Sequence, residues 1–258
     1  MRVLIADPIS KKGIELLSKY CQVDVKTGLS KESLLEIIPL YDALIVRSET
    51  KVDRDVIFAG SKLKIIGRAG VGVDNIDVNA ATERGIIVVN APEGNTISAC
   101  EHTFALMLSL ARNIPSANYS LKRGEWKRKE FTGVELYGKT LGVIGLGRIG
   151  LAVSQRALSF GMEVIGYDPY IVGERITEMG IKPVSLDELY SRSDFITVHT
   201  PLNADTKDFI NKDAFLKMKQ GVRIINCARG GIINERDLIW AIEEGIVAGA
   251  GIDVFEKE

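Results

Sequence analysis

The sequence predicts an α/β protein made of two doubly wound parallel-sheet domains. Three observations carry this. Short β-branched runs alternate with helical segments from one end of the chain to the other, as strands crossed over by helices require. At 258 residues and 46% hydrophobic content there is material for two cores. Finally, a glycine turn sits between a buried-strand pattern and a helical pattern at 141–168 in the second half, and the first half has no such turn.

Residues 1 to about 90 give five strands separated by four helical segments. VLIAD precedes KKGIELLSKY, VDVKT precedes KESLLEIIPL, DALIVRS precedes DRDVIFAG, LKIIGRAG precedes NIDVNAATERG, and IIVVN closes the series. Then the texture changes. Asn95 is a candidate helix cap, and Ser98 with Glu101 matches a capping box. Phe104, Leu106, Met107, Leu108, Leu110 and Ala111 describe a largely buried helix joining the two halves, with Pro115 as its end or kink. Residues 118–140 are more polar and place Lys122, Arg123, Lys127, Arg128 and Lys129 around Trp126. Such a run reads as a solvated face, or as an arm that lends a cation to a neighbouring subunit.

From Lys139 the alternation resumes. LGVIG, EVIGYD, KPVS, FITVHTP, VRIINCAR and VAGAGIDVF read as strands, and SLDELYSRS opens with a capping box at Ser185 and Glu188. Gly145, Gly147 and Gly150 form GxGxxG directly after the strand LGVIG and at the head of a helix. The first glycine allows the tight turn, the second lets backbone approach a pyrophosphate, and the third lets helix and strand pack closely. Asp168 follows the next strand, where a carboxylate would hold the ribose hydroxyls of a dinucleotide. This context makes the second half a Rossmann dinucleotide-binding domain. Asp168 would repel a 2′-phosphate, and Pro169 and Tyr170 supply no arginine to receive one, so NAD is the expected cofactor.

In an open parallel sheet the ligand crevice lies beyond the carboxyl ends of the strands. The residues there are Arg148 and Ile149, Asp168, Thr200 and Pro201 with Thr206, the run Cys227, Ala228, Arg229, and Asp253 followed by Glu258. Arg229 could grip a carboxylate in bidentate fashion or pair with a surface acid. In the first half, Arg47 and Ser48 follow one strand and Arg68, Gly70, Val71 and Gly72 follow another. The arginines would suit a phosphate or carboxylate, or serve as structural salt bridges, and the glycines would permit an anion nest.

Thirty-three basic against thirty-four acidic residues leave a net charge of −1, so no global field recruits nucleic acid or an anionic membrane. Cys21, Cys100 and Cys227 are odd in number and unpaired in spacing, which points to reduced thiols and a cytoplasmic protein. No apolar run approaches membrane-helix length, and the chain enters a strand pattern at once without a signal peptide. His102 and His199 read as structural histidines without metal-ligating neighbours, so no metal site is expected.

The motifs IVRSETKV, GRAGVGVDNID, APEGNTISACEHTFALML, GKTLGVIGLGRIG, YDPY, FITVHTPL, INCARGG and AGIDVFEKE together resemble the D-isomer-specific 2-hydroxyacid dehydrogenases, in register over essentially the whole chain. The resemblance is greatest to members that oxidise 3-phosphoglycerate to 3-phosphohydroxypyruvate with NAD in serine biosynthesis. It implies a substrate-binding domain at 1–92, an NAD-binding domain at 93–258, a catalytic cleft between them, and a homodimer or tetramer.

By the same resemblance, Arg229 binds the substrate's carboxylate and carbonyl, and Glu258 pairs with a catalytic histidine. Gly145, Gly147, Arg148, Ile149, Gly150, Asp168, Thr200, Pro201, Thr206, Cys227, Ala228, Arg229 and Asp253 contact the cofactor, as does the backbone of Val71, which replaces a threonine of some relatives. Arg47, Ser48, Arg68, Gly70, Val71 and Gly72 lie on the side of a small phosphorylated 2-hydroxy acid. The family's histidine is expected downstream of Glu258, as is a segment returning to the first domain. The sequence is therefore read as a truncated form of a longer protein that would bind NAD but turn over poorly. Two other functions fit the family: reduction of glyoxylate, hydroxypyruvate or D-lactate, and an NAD-sensing, corepressor-like binding role.

Overall fold

A computed structural model of the chain describes residues 1–171 and 173–257. Two compact units divide it, Met1–Asn95 and Thr96–Glu258. In the first unit the order is β1 (Arg2–Ile5), α1 (Lys11–Ser18), β2 (Gln22–Val25), α2 (Lys31–Ile37), β3 (Ala43–Val46), α3 (Arg54–Ala59), β4 (Ile65–Arg68), α4 (Val78–Glu83) and β5 (Ile87–Asn90). The five strands are parallel, in the order β2-β1-β3-β4-β5. Each predicted strand is present. β1 beyond Arg2 and the whole of β3 are apolar because they lie inside the sheet, where Leu4, Ile5, Leu44 and Val46 are fully buried. Ser10, Ser30, Asp53 and Asp77 each accept the backbone N–H three residues on, which starts α1 to α4 where the chain leaves the sheet.

The second unit continues with α5 (Thr96–Ala111), α6 (Ile114–Lys122), β6 (Thr140–Ile144), α7 (Arg148–Ser159), β7 (Glu163–Tyr167), α8 (Gly173–Glu178), β8 (Lys182–Pro183), α9 (Leu186–Arg192), β9 (Phe195–Val198), α10 (Lys212–Leu216), β10 (Val222–Asn226), α11 (Glu235–Glu243) and β11 (Val247–Ile252). Its six strands are parallel, in the order β11-β10-β9-β6-β7-β8. Chain order reverses between β6 and β9, and the doubly wound Rossmann arrangement binds its ligand at that switch point. Among the described residues no helix is long and apolar enough to cross a membrane.

The long helix departs from expectation at its two ends. It belongs to the second unit, with Cys100, Thr103, Phe104, Met107 and Ala111 buried and Phe104 stacked on Phe160 at 5.2 Å. It lies close against β11 because Gly251 has no side chain: a Cβ there would come within 3.0 Å of Leu106. Ser98 sits inside its first turn and so cannot be the cap of a capping box that precedes the helix. Pro115 opens α6, where its missing N–H costs nothing, after Asn113 turns the chain with φ +53°. At α9 half of the expected capping box is made: Ser185 accepts the Glu188 N–H at 3.2 Å, while the Glu188 carboxylate accepts from Arg192.

Candidate functional site

The glycine turn joins β6 to α7. Gly145 has φ +90°, and a Cβ on it would press within 2.9 Å of the His199 carbonyl and Thr200, so glycine is required twice over. A Cβ on Gly150 would run into the Gly145 carbonyl, which fixes how tightly helix and strand approach. Gly147 is the N-cap of α7, with open space around it and no side chain bonded to the first helical N–H groups. Those donors and the positive end of a twelve-residue helix are left for an anion.

Asp168 lies at the end of β7, beside this turn. Its Oδ2 accepts the Leu146 N–H at 2.8 Å and its Oδ1 accepts the Tyr170 N–H at 2.9 Å. A carboxylate has about four acceptor positions, so lone pairs remain for ribose hydroxyls. Arg148 is exposed and Ile149 half-buried at the start of α7. After β9, the Thr200 Oγ1 is buried with no hydrogen-bond partner among the described residues. A buried polar group of this kind calls for a partner, and at the switch point a bound ligand would supply one. Thr206 is engaged locally: its hydroxyl lies 2.6 Å from the Pro201 carbonyl and accepts the Asn203 N–H at 2.8 Å, closing the loop that begins at Pro201.

After β10 the Cys227–Arg229 turn is built by Asn226, a buried residue that sequence reasoning missed. Asn226 Oδ1 accepts the Ala228 N–H, its Nδ2 donates to the Arg229 carbonyl, and its backbone carbonyl accepts the Asp253 N–H. One residue thus holds two candidate turns, one through its side chain and one through its backbone carbonyl. Arg229 is half-buried and its Nη1 donates to the Ala228 carbonyl at 2.7 Å.

His199 is half-buried at the end of β9. Its Nε2 lies 3.0 Å from Thr197 Oγ1, and burial pushes the imidazole down to about 4. His102 corrects the sequence reading. Its side chain is 46% exposed and its Nε2 contacts Asp253 Oδ1 at 3.0 Å, with Cys227 beside them. The expectation that neither histidine has metal-ligating neighbours fails here, because three elements remote in sequence end at one place. Burial pushes the Cys227 thiol up to about 11, against a hydrogen bond with Thr103.

In the first unit, Arg47 and Arg68 stand at neighbouring strand ends, since Val46 pairs with Arg68 in the β3–β4 register. Asp7, buried at the end of β1 and also missed, accepts the Arg47 N–H at 2.6 Å, the Thr50 N–H at 3.2 Å and the Thr50 hydroxyl. Asn75 Nδ2 donates to the carbonyls of Arg47 and Thr50. The loop containing Ser48 is therefore clamped from two sides.

The loop from Gly70 to Gly72 does not form the left-handed nest its glycines would permit. Neither has positive φ, and the Gly70 N–H is bonded to the Arg68 carbonyl. Gly70 instead leaves room for the Arg68 guanidinium, which a Cβ would overlap. Asn90 Nδ2 holds the Val71 carbonyl at 2.6 Å. Glu258 lies outside the described residues.

The strand order, the uncapped helix behind GxGxxG and the acid at the end of β7 define the second unit as a dinucleotide-binding domain. Residues 104–258 match the sequence profile described as D-isomer specific 2-hydroxyacid dehydrogenase, NAD binding domain. The chain belongs to the D-isomer specific 2-hydroxyacid dehydrogenase family.

Over its whole length the chain is 55% identical to a D-3-phosphoglycerate dehydrogenase of Archaeoglobus fulgidus and 56% identical to one of Methanocaldococcus jannaschii, covering 49% of each. It thus spans about half the length of these curated relatives. Among solved structures it is similar to a glyoxylate reductase from Paecilomyes thermophila, with TM-score 0.92 and 34% identity, covering all of this chain and 82% of that one. A D-lactate dehydrogenase from Aquifex aeolicus, complexed with NAD and lactic acid, gives TM-score 0.90 and 31% identity, covering 100% of this chain and 78% of that one.

Proposed function

We propose that the chain is the dinucleotide- and substrate-binding part of an NAD-dependent enzyme that oxidises 3-phosphoglycerate to 3-phosphohydroxypyruvate, with 1–92 serving the substrate and 93–258 the cofactor. The observation that carries the cofactor half is the uncapped start of α7 beside Asp168, with the unpartnered Thr200 hydroxyl nearby. The residues present fit NAD: α7 N–H groups for the pyrophosphate, Asp168 for the ribose, and Asp253 with the Cys227–Arg229 backbone for the nicotinamide end. Bound NAD supplies the hydride acceptor. Arg229 orients the 2-hydroxy acid through its carboxylate.

Choice of substrate rests on the relatives at 55–56% identity and on Arg47 and Arg68 at adjacent strand ends, where two cations suit a phosphate. Glu258 is assigned, by the family resemblance, as the acid that pairs with a catalytic histidine. The thiols of Cys21, Cys100 and Cys227 are free, which supports a cytoplasmic protein. Exposed Tyr119, Leu121 and Trp126 on and after α6 support a homodimer or tetramer.

Steady-state kcat/KM of the full-length enzyme, with NAD as co-substrate, tests the substrate. The expected result is a preference for 3-phosphoglycerate over unphosphorylated glycerate and D-lactate. Equal values would move the chain to the glyoxylate or D-lactate branch.

A further inference from the structure

Three donors from three elements converge beyond the carboxyl ends of β10 and β11: His102 on α5, Cys227 just after β10 and Asp253 just after β11. Their ligand atoms all lie within 4.8 Å of one another, and His102 Nε2 is 3.0 Å from Asp253 Oδ1. We propose that this cluster is a binding site for a divalent cation of the zinc class, held by imidazole, thiolate and carboxylate.

The donor set selects the metal. Thiolate and imidazole favour Zn²⁺ and its neighbours, whereas Mg²⁺ and Ca²⁺ take oxygen ligands. Distances agree with a tetrahedral centre. Bonds of 2.0–2.1 Å to nitrogen and oxygen place those two atoms about 3.3 Å apart, and a 2.3 Å bond to sulfur sets it about 3.6 Å from either. The imidazole and carboxylate therefore need to part by only a few tenths of an ångström. From the 4.8 Å limit the thiol needs at most about 1.2 Å of travel.

Access and support are present. His102 and Asp253 are nearly half exposed, so a cation enters from solvent without unfolding, and the fourth position is left to water. Two of the donors are held in place: the Asn226 backbone carbonyl accepts the Asp253 N–H, and the Thr103 side chain, whose hydroxyl donates to the Ala99 carbonyl, is in hydrogen-bond contact with Cys227. On binding, the Cys227 thiol proton passes to solvent, and His102 meets the metal through the lone pair of a neutral imidazole while Asp253 does so as a carboxylate.

If Asp253 and Cys227 also border the nicotinamide, cation and cofactor exclude each other. That corollary rests on the proposed function, but the cation site does not. The experiment is a calorimetric titration of the chain with zinc chloride, together with Co²⁺ absorption spectra. One Zn²⁺ per chain is expected, with a near-ultraviolet thiolate–Co²⁺ band. Cys227→Ser should abolish the band, and His102→Ala and Asp253→Asn should each weaken zinc binding at least about ten-fold, with thermal melts showing that each variant folds. Cys21→Ser should change neither. Absence of stoichiometric binding, or binding unchanged in both His102→Ala and Cys227→Ser, would overturn the proposal. Zinc bound equally well with and without saturating NADH would leave the site standing and remove Asp253 from the cofactor contacts.

Discussion

The Asp168 carboxylate accepts the N–H of Leu146, inside the glycine turn, at 2.8 Å. The acid assigned to the ribose is thus also a brace of the turn that faces the pyrophosphate. Asp168→Ala should weaken NADH binding roughly 10- to 100-fold, the equivalent of about 1–3 kcal/mol for an unmade bond. It should also narrow the preference for NADH over NADPH, because the charge that repels a 2′-phosphate is gone. Fluorescence titration with both cofactors measures this. An unchanged NADH affinity would remove Asp168 from the site.

Asp7 organises the first unit's candidate loop by accepting three donors from Arg47 and Thr50. Removing it leaves backbone N–H groups without an acceptor. Asp7→Ala should cost about 1–3 kcal/mol in urea unfolding, while Asp7→Asn, which keeps one oxygen, should cost less.

The imidazole of His199 has its pKa lowered from 6.5 to about 4 by burial. The unfolded chain therefore binds a proton that the folded chain refuses. Stability from this group is constant above about pH 6.5 and falls as pH drops from there toward 4, by about 3 kcal/mol in all. Urea midpoints measured across that window should decline, and His199→Gln should flatten the decline.

Arg47 and Arg68 bear on phosphate recognition. Arg47→Ala or Arg68→Ala should raise KM for 3-phosphoglycerate roughly ten-fold or more, the worth of a lost charge-assisted contact, with little effect on an unphosphorylated 2-hydroxy acid. A uniform loss on both substrates would make the arginines structural.

With its thiol held up to about 11, Cys227 is almost wholly protonated at pH 8. Iodoacetamide should leave it unmodified in the folded chain and alkylate it in urea, as peptide mass analysis will show. Rapid labelling of the native protein would contradict the burial that protects it.

Much of the fold was legible because its signals are local. Alternating apolar runs and helical periodicity specify the strands and helices, Ser185 starts its helix through a neighbour three residues away, and GxGxxG carries its own backbone requirement. The sequence by itself determined two α/β sheets, a dinucleotide turn and an acid for the ribose. Strand order then decided what no local pattern encodes. It set Asp168 against Leu146, put Asp7 under the Arg47 loop, and hung two turns on Asn226. It also brought His102, Cys227 and Asp253 to one edge of a sheet. In a parallel sheet the carboxyl ends of strands far apart in sequence become neighbours, and contacts between them exist only once the crossovers have closed.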